Sequence, residues 1–254
     1  MANELRLIVD GPQPAARNMA VDEAILLGGV EAIPTLRLYA WSPAAVSLGY
    51  FQSAGDELDL TACRSEGVTV VRRITGGGAV FHDAELTYSL VLPAGHPLGA
   101  GTILESYERI CTGVVAGLAK LGIAARFAPL NDVVTANDIP QKLGGQAQTR
   151  KHGGLLQHGT VLLGVDVERM FRLLQVADEK MRGKLIRDVR QRVTSAEQIL
   201  GREVGFGEAA AAMQAGFVEA LDLTLTPASL TADEQKRIPD LLKKYASDEW
   251  VMRR

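Results

Sequence analysis

The sequence predicts an α+β fold in which a mixed or antiparallel sheet is flanked by helices. Strand-like apolar runs follow one another with only short turns between them, and helical patterns cluster before and after these runs. The hydrophobic fraction of 47% and the charged fraction of 22% are ordinary for a globular chain and exclude wholesale disorder. The length fits one domain, so residues 1–254 are interpreted as a single unit that becomes helical from about residue 166.

The first half of the chain carries the strand signals. After a first strand-like run, Asn18 is placed to cap a helix and Gly28 to end it. The strand-like runs lie at 5–9, 36–40, 45–51, 68–73 and 86–92, and a second strand group spans about 124–163.

Helical periodicity dominates the rest. An amphipathic stripe predicts a long helix over 102–121, and Thr194 and Thr231 each begin a capping-box pattern. Pro239 predicts a kink or break in the last helix. The remaining helical patterns cover 18–28, 166–175, 178–189, 195–200, 207–221 and 231–245.

Charge and cysteine content exclude several classes of protein. The net charge of −3 gives no global field toward nucleic acid or an anionic membrane, so neither is expected as a partner. Cys63 and Cys111 are too few for a disulfide scaffold or a cysteine-rich zinc site. No secretion signal and no membrane-length apolar stretch occurs, which predicts a cytoplasmic protein.

The most informative stretch is RRITGGGAVFHD at 72–83. Consecutive glycines allow backbone N–H groups to approach an anion closely, and the two neighbouring arginines are forked charged donors. A bare glycine triplet is also typical of a hairpin turn with solvated arginines. The stretch is neither a Walker loop nor a Rossmann fingerprint.

A second cluster of polar residues favours a ligand-binding site over a simple hairpin turn. Asn131 and Asp132 are followed by Lys142 in KLGGQAQ and by His158 in LQHGT. A lysine can neutralise a phosphate, while a carboxylate can hold Mg²⁺ or a ligand hydroxyl or amine. Each of these motifs alone is weak evidence for a binding site, but their order and spacing together are more specific evidence.

These motifs resemble the lipoate–protein ligase A family, within the biotin and lipoate protein ligase superfamily. The resemblance also includes NMAVDEAIL at 18–26, SLGYFQ at 47–52 and KYASDEW at 244–250, so it covers nearly the whole chain. It implies the catalytic-domain fold of that superfamily. It also implies that lipoate is activated with Mg·ATP to lipoyl-AMP and passed to a lysine of an acceptor lipoyl domain.

The resemblance further implies a role for each matching residue. Arg73 and the loop from Gly76 to Phe81 would wrap the lipoyl-adenylate, and Lys142 would bridge the acyl carbonyl and the phosphate. Asn131 and Asp132 would hold adenosine or Mg²⁺, with Asp132 as the metal ligand. The implied substrate and nucleotide site comprises Arg73, Gly76, Gly77, Gly78, Ala79, Val80, Phe81, His82, Asn131, Asp132, Lys142, His158, Gly159 and Thr160.

The expected cofactors are ATP and Mg²⁺, with lipoate as substrate. The expected partners are lipoyl domains of 2-oxoacid dehydrogenase complexes or the glycine cleavage H protein. Because the chain ends soon after KYASDEW, it matches a short form without the C-terminal accessory domain, and a separate small accessory subunit is an expected partner. Val46, Leu48, Val161 and Leu163 are candidates for lining an eight-carbon chain or for plain core.

Two other interpretations of the function stay open. The octanoyl-[carrier protein]–protein octanoyltransferases of the superfamily use an acyl-cysteine intermediate and need no ATP. Segments 123–141 and 143–158, where their nucleophile lies, contain no cysteine here, and Cys63 and Cys111 are interpreted as inert packing residues. The sequence therefore favours the ATP-dependent ligase, with the octanoyltransferase as the alternative and a non-catalytic lipoyl-domain or nucleotide-binding member third.

Overall fold

The computed structural model describes residues 3–175 and 179–253, which contain eleven strands and ten α-helices. The strands are β1 (Glu4–Gln13), β2 (Thr35–Trp41), β3 (Ala45–Leu48), β4 (Thr69–Arg72), β5 (Val80–His82), β6 (Glu85–Pro93), β7 (Ala125–Ala128), β8 (Asp132–Thr135), β9 (Lys142–Lys151), β10 (Gly154–Leu162) and β11 (Thr224–Pro227). The helices are α1 (Ala15–Leu26), α2 (Ala54–Glu57), α3 (Leu60–Ser65), α4 (Ile103–Lys120), α5 (Val167–Leu173), α6 (Glu179–Arg192), α7 (Ala196–Leu200), α8 (Phe206–Leu221), α9 (Ala232–Ala246) and α10 (Asp248–Val251).

Eight strands form one mixed sheet in the order β11-β1-β2-β6-β10-β9-β8-β7. Strands β11, β1 and β2 run parallel, and the pairs from β2 to β7 are antiparallel. A small second sheet has the order β4-β3-β5. This arrangement, flanked by helices, confirms the predicted fold class.

Helices cover both faces of the large sheet, because the central strands are apolar on both sides. In β2, Leu36 and Leu38 pack in a core that includes side chains of α4 and α8. Tyr39 and Trp41 pack in a second core with side chains of α1 and α9. Val71 of β4 and Ile74, just before the glycine loop, pack in the same second core.

Several boundaries differ from the sequence prediction. Helix α1 begins at Ala15, directly after Pro14, and Asn18 lies buried inside it, with its amide donating to the backbone oxygen of Ala40 at 3.0 Å. Strand β1 continues to Gln13 through an irregularity beside Gly11, whose φ is +64°. In both cases, tertiary contacts decide where the helix begins or the strand ends, and they differ from what the local sequence predicts.

The C-terminal half shows further differences. Helix α9 continues through Pro239, and its predicted capping box at Thr231 is confirmed. At the other predicted box, Ser195 rather than Thr194 caps the helix. The predicted helix over 178–189 is seen as Glu179–Arg192, and residue 178 lies outside the described residues. The sequence did not predict α2 or β11.

Strand β11 extends the sheet that begins at β1, so the helical C-terminal portion returns to the large sheet. The interpretation of the chain as a single unit stays a prediction. Over the ranges that the structure describes, we find no helix with the length and apolar character that crossing a bilayer requires.

Helices α4 and α8 approach each other closely because glycines lie where the two helices cross. A Cβ built at Gly216 of α8 would lie 2.5 Å from the Cα of Gly117 and 2.7 Å from the carbonyl oxygen of Gly113, both in α4. We therefore expect Gly216→Ala to push the helices apart and lower the free energy of unfolding by about 2–3 kcal/mol. Chemical denaturation measures this change.

Gly207, near the start of the same helix, provides the control. A Cβ there meets no atom within 4 Å, so Gly207→Ala should raise the free energy of unfolding by up to about 1 kcal/mol through better helix propensity. Equal effects of the two substitutions would contradict the proposed close helix crossing.

Candidate functional site

A cleft opens where β9 and β10 meet the glycine loop that follows β4. Its empty volume is about 670 Å³. Its lining residues are Met19, Tyr39, Trp41, Ser47, Arg73, Gly77, Gly78, Ala79, Val80, His82, Thr87, Asn131, Lys142, Gly145, Gln146, Ala147, His158, Gly159 and Thr160. Of the sequence-predicted site residues, Gly76, Phe81 and Asp132 are not in this lining. The structure thus brings the others to one place, and their roles stay predictions.

Arg73 holds the glycine loop from inside. Its side chain is buried, and its Nη2 donates to the carbonyl oxygens of Gly76 at 2.8 Å and Gly78 at 2.7 Å. Its Nη1 donates to the Ser47 carbonyl at 2.8 Å and to Ser47 Oγ at 3.0 Å. Burial lowers the pKa of Arg73 to about 10, which leaves the guanidinium charged at neutral pH. These donors shape the loop, whereas the sequence had placed Arg73 directly on the ligand.

Arg72 has a similar structural role. Its Nη1 donates to the carbonyl oxygens of Gly49 at 2.9 Å and Gln52 at 2.6 Å, and its Nη2 donates to that of Val251 at 2.7 Å. A Cβ at Gly49 would overlap the Gly77 carbonyl oxygen, so the glycine loop packs directly on the chain after β3. The forked donors that suggested anion binding are therefore used on the protein's own backbone.

One wall of the cleft is aromatic. The rings of Trp41 and His82 are stacked, with centroids 3.8 Å apart and planes inclined by 10°. Trp41 Nε1 donates to Thr87 Oγ1 at 2.8 Å, and Thr87 Oγ1 donates to Glu85 Oε1 at 2.6 Å. His82 Nδ1 pairs with the same Glu85 oxygen at 2.8 Å, and His82 Nε2 pairs with Ser47 Oγ at 2.7 Å. This network holds the two stacked rings in place.

The apolar lining comes from residues that the sequence did not single out. Val46, Leu48, Val161 and Leu163 are buried core residues outside the cleft. Met19, Tyr39 and Trp41 line it instead. Alternation along a strand shows which residues share a face, but not which face a cleft will open on.

A buried charge network lies behind the cleft. Asp22 accepts from Arg37 Nη1 at 2.8 Å, Ser89 Oγ at 2.9 Å and the Tyr39 hydroxyl at 3.0 Å, and it faces His158 Nδ1 at 3.4 Å. Burial by itself raises the pKa of Asp22, but the hydrogen bond to His158 and the Arg37 charge outweigh it, so the pKa is lowered. From the sequence, no role of Asp22 in a charge network was predicted.

His158 connects this network to the glycine loop. Its Nε2 pairs with Thr75 Oγ1 at 2.7 Å, directly before the first loop glycine. Burial lowers the pKa of His158 despite the nearby Asp22 carboxylate, so the imidazole is neutral at neutral pH. His158 therefore supports the loop and the cleft wall as an uncharged hydrogen-bonding group.

Lys142 is the cation at the mouth of the cleft. Its Nζ lies 2.7 Å from Asp132 Oδ1, and the two side chains are 41% and 35% exposed. Such a partly exposed pair contributes little free energy, so the ammonium can exchange Asp132 for a ligand oxygen. A second cavity, partly open to solvent, shares Ala79, Val80, Lys142, Gly145 and Thr160 with the cleft. Lys142 consequently borders both spaces.

The predicted role of Asn131 and Asp132 in holding adenosine or Mg²⁺ stays a prediction. Asn131 Nδ2 donates to the Gln146 carbonyl at 2.6 Å, and Gln146 N donates to the Asn131 carbonyl at 2.9 Å. The Asp132 carboxylate faces the Lys142 ammonium. In the part of the chain that the structure describes, no three His, Cys, Asp or Glu side chains cluster in a way that could hold a metal. Mg²⁺ commonly binds through one or two carboxylates together with phosphate and water oxygens, so the metal-ligand role of Asp132 stays a prediction.

Neither cysteine reaches the cleft. Both are buried, and the Sγ of Cys63 lies 4.0 Å from the Leu173 carbonyl while that of Cys111 lies 4.0 Å from Gln157 Nε2. Burial raises the pKa of the Cys63 thiol and raises that of Cys111 to about 12. Both thiols are therefore protonated packing groups, as the sequence predicted.

Comparisons with known proteins agree on the fold and revise the activity. Residues 14–218 match the family model described as lipoyl protein ligase A/B catalytic domain. Proteins named octanoyltransferase LipM from Symbiobacterium thermophilum and Geobacillus kaustophilus are 41% and 38% identical, with 100% of both chains covered in each case.

Solved structures are similar over nearly the whole chain. A bi-partite lipoate protein ligase from Thermoplasma acidophilum has a TM-score of 0.88 at 32% identity, covering 98% of this chain and 96% of that one. A lipoate-protein ligase A bound with ATP has a TM-score of 0.84 at 29% identity, covering 98% of each chain.

The prediction of an ATP-dependent lipoate–protein ligase is therefore wrong as the main reading. The curated relatives, which match from end to end, carry the name of the alternative, an octanoyltransferase. The ligase prediction depended mainly on the absence of a cysteine from segments 123–141 and 143–158, with the Asn131-Asp132 pair as a second reason. The full-length match and the family model together show that the chain belongs to the lipoyl protein ligase A/B catalytic-domain family.

Proposed function

We propose that this chain transfers an octanoyl group from a carrier-protein thioester to the ε-amino group of a lysine on a lipoyl domain. The observation that carries the proposal is the position of Lys142, at the junction of an aromatic-walled cleft and a second cavity. The cleft suits an eight-carbon chain, and the second cavity provides an approach for the acceptor lysine. The octanoyltransferase names of the relatives support this choice of acyl group.

The chemistry is aminolysis of a thioester. The acceptor nitrogen attacks the carbonyl carbon, the new C–N bond forms, the C–S bond breaks, and the thiol leaves with the proton. Negative charge develops on the carbonyl oxygen, where the Lys142 ammonium stabilises it. Because the thioester already activates the acyl group, this reaction consumes no nucleotide, and the predicted ATP and Mg²⁺ have no part in it.

The acyl group passes directly from donor to acceptor in this proposal. An acyl-cysteine intermediate needs a thiolate at the reacting carbonyl. The chain has two cysteines, and both thiols are buried, protonated and outside the cleft lining. Donor and acceptor are therefore bound together when the bond forms, which predicts sequential rather than ping-pong kinetics.

Lipoyl domains are the acceptors that best fit the family. One structural neighbour comes from the study of a lipoate protein ligase and its E2 lipoyl domain. By analogy, we propose lipoyl domains of 2-oxoacid dehydrogenase complexes or the glycine cleavage H protein as partners. A separate accessory subunit has no step to supply in a reaction without adenylation.

Mass spectrometry of an apo lipoyl domain tests the proposal. With octanoyl carrier protein and no nucleotide, wild-type protein should add one octanoyl group to the acceptor. Free octanoate with Mg·ATP should give little product. Modification that occurs only with the free acid and Mg·ATP would overturn the assignment.

The double variant Cys63→Ala/Cys111→Ala tests the direct route. We expect its transfer rate to stay within a few-fold of wild type, because neither thiol is near the reacting carbonyl. Its melting temperature should fall modestly, because two buried groups are truncated. The single variants are the controls for stability. A rate loss of two orders of magnitude or more in a folded double variant would instead indicate an acyl-cysteine.

A further inference from the structure

The segment that forms α5 and α6 carries an excess of positive charge. Residues 167–192 contain eight Lys or Arg and four Asp or Glu, a segment of net charge +4 in a chain of net charge −3. A cluster of one sign creates a local field that attracts partners of the opposite sign and speeds their association. The charge of this segment therefore differs from that of the chain as a whole.

The arginines of α5, and one arginine of α6, have partners within the protein. Arg169 Nε and Arg172 Nε lie 3.1 Å and 2.8 Å from oxygens of the Glu66 carboxylate. Arg190 forms an ion pair with Glu168. These cations consequently serve the protein's own packing.

Lys184, Arg187 and Arg192 of α6 are in a different situation. All three are exposed, and none has an ion-pair or hydrogen-bond partner among the residues that the structure describes. Their spacing along the helix places them on one face together with Asp188, so this face keeps a net charge of +2. Since α6 packs mainly on α5, the fold leaves these cations uncompensated.

The C-terminal end of α6 lies beside the candidate site. Thr194 N, two residues beyond the helix, donates to the backbone oxygen of Lys142 at 2.9 Å. Val189 and Val193 line the second cavity. The basic face of α6 is therefore next to the cavity through which we propose that the acceptor amine approaches.

The second cavity itself has the opposite charge. Asp166 and Glu197 line it and are exposed, and the Lys142 ammonium at its border is paired with Asp132. Carboxylates attract a lysine ammonium that enters, whereas they repel the phosphate of a carrier protein's pantetheine arm. An acidic cavity beside a basic helix thus fits a lysine that projects from an acidic protein surface.

We propose that the exposed face of α6, with Lys184, Arg187 and Arg192, docks the acidic surface around the acceptor lysine of a lipoyl domain. This inference deepens the proposed acyl transfer and rests on it. Complementary charges at the rim of an interface steer the encounter and fix its orientation, while the reacting atoms lie elsewhere. The face should therefore set the affinity for the acceptor domain and leave the chemical step unchanged.

The double variant Lys184→Glu/Arg187→Glu tests the docking face. We expect KM for the apo lipoyl domain to rise at least tenfold, with kcat within a few-fold of wild type and KM for octanoyl carrier protein unchanged. Raising the ionic strength from about 50 to about 300 mM should shrink the difference between the two proteins, because salt screens exposed charges. N-acetyl-lysinamide, which has no acidic surface, should be octanoylated equally by both proteins.

Lys236→Glu/Lys243→Glu is the matched control, because it changes the net charge by the same amount. Both lysines are exposed on α9, and neither lines the cleft or the second cavity as the structure describes them. KM for the lipoyl domain should stay close to wild type. An equal rise in both double variants would overturn the proposal, since the effect would then come from net charge alone.

Direct binding and charge exchange complete the test. Calorimetry should show at least tenfold weaker binding of the apo lipoyl domain to Lys184→Glu/Arg187→Glu, and unchanged melting temperatures would show that the fold is intact. A lipoyl domain whose carboxylates around the acceptor lysine are changed to lysine should bind this variant better than it binds wild type.

The outcomes separate the possible partners. Equal binding of the lipoyl domain by wild type and Lys184→Glu/Arg187→Glu would overturn the proposal. A rise in KM for octanoyl carrier protein alone would also overturn it, because α6 would then dock the donor. If the lipoyl domain binds as expected but wild type transfers no octanoyl group to it, only the proposed function fails.

Discussion

Lys142→Ala is expected to lower kcat/KM for octanoyl transfer by a factor on the order of 10²–10³, the usual cost of removing one preorganised oxyanion donor. The ammonium stands at the junction of the cleft and the second cavity, where the carbonyl must lie for an amine to reach it. Mass spectrometry of the acceptor domain under single-turnover conditions measures the loss. The free energy of unfolding should change little, since the Lys142–Asp132 pair is partly exposed.

Two further variants sharpen this test. Lys142→Arg should not restore activity, because a planar fork cannot replace a compact point charge at a confined position. Lys151→Ala is the control, since Lys151 lies at the other end of β9 with its Nζ 4.0 Å from the Tyr50 ring centroid, and its activity should stay near wild type. Equal rates in Lys142→Ala and Lys151→Ala would show that Lys142 is an ordinary surface lysine.

The sequence predicted most of the fold because its periodicity is strong. The apolar runs of β2 and β6 and the stripe of α4 appear close to their expected limits. Strand β11, with the sequence TLTP, was missed because it is short and largely polar, and only its pairing with β1 makes it a strand. The register of that pairing is a tertiary property that local sequence does not contain.

The candidate site was predictable as a set of positions but not as a set of roles. The glycine loop, Lys142 and the HGT motif meet at one cleft, as their order along the chain suggested. Arg73, expected on the ligand, is used on the loop carbonyls. Met19, Tyr39 and Trp41 were missed as lining because alternation along a strand does not show on which face a cleft opens.

The activity was mispredicted because the prediction depended on the absence of a cysteine from the expected positions. The absence of a cysteine near Lys142 was taken to favour the ligase over the octanoyltransferase. A thioester and an acyl-adenylate present the same carbonyl to the same lysine, so the absence of a thiol excludes only the covalent route. In the direct transfer that we propose, an octanoyltransferase uses this site while its thiols stay buried and inert.

Asp22→Asn is expected to lower the free energy of unfolding by about 3–5 kcal/mol, the usual cost of removing one partner from a buried ion pair. Arg37 is 0% exposed, and asparagine cannot neutralise its charge. The other carboxylate on Arg37, Asp10, lies 2.7 Å from Nε but is 27% exposed. Asp10→Asn is therefore the matched control and should cost about 1 kcal/mol, because solvent already screens that pair.

The pH dependence of the free energy of unfolding tests the Asp22 prediction independently. The pKa of Asp22 is lower in the folded protein than its ordinary value of 3.8, so its ionisation stabilises the fold above pH 3.8. That contribution is lost progressively as the pH falls below 3.8 toward the folded pKa. Urea denaturation at a series of pH values should therefore show the wild type losing more stability in this acidic range than Asp22→Asn, which has no carboxyl to protonate there. Parallel curves for the two proteins would mean that the Asp22 charge does not stabilise the fold behind the cleft.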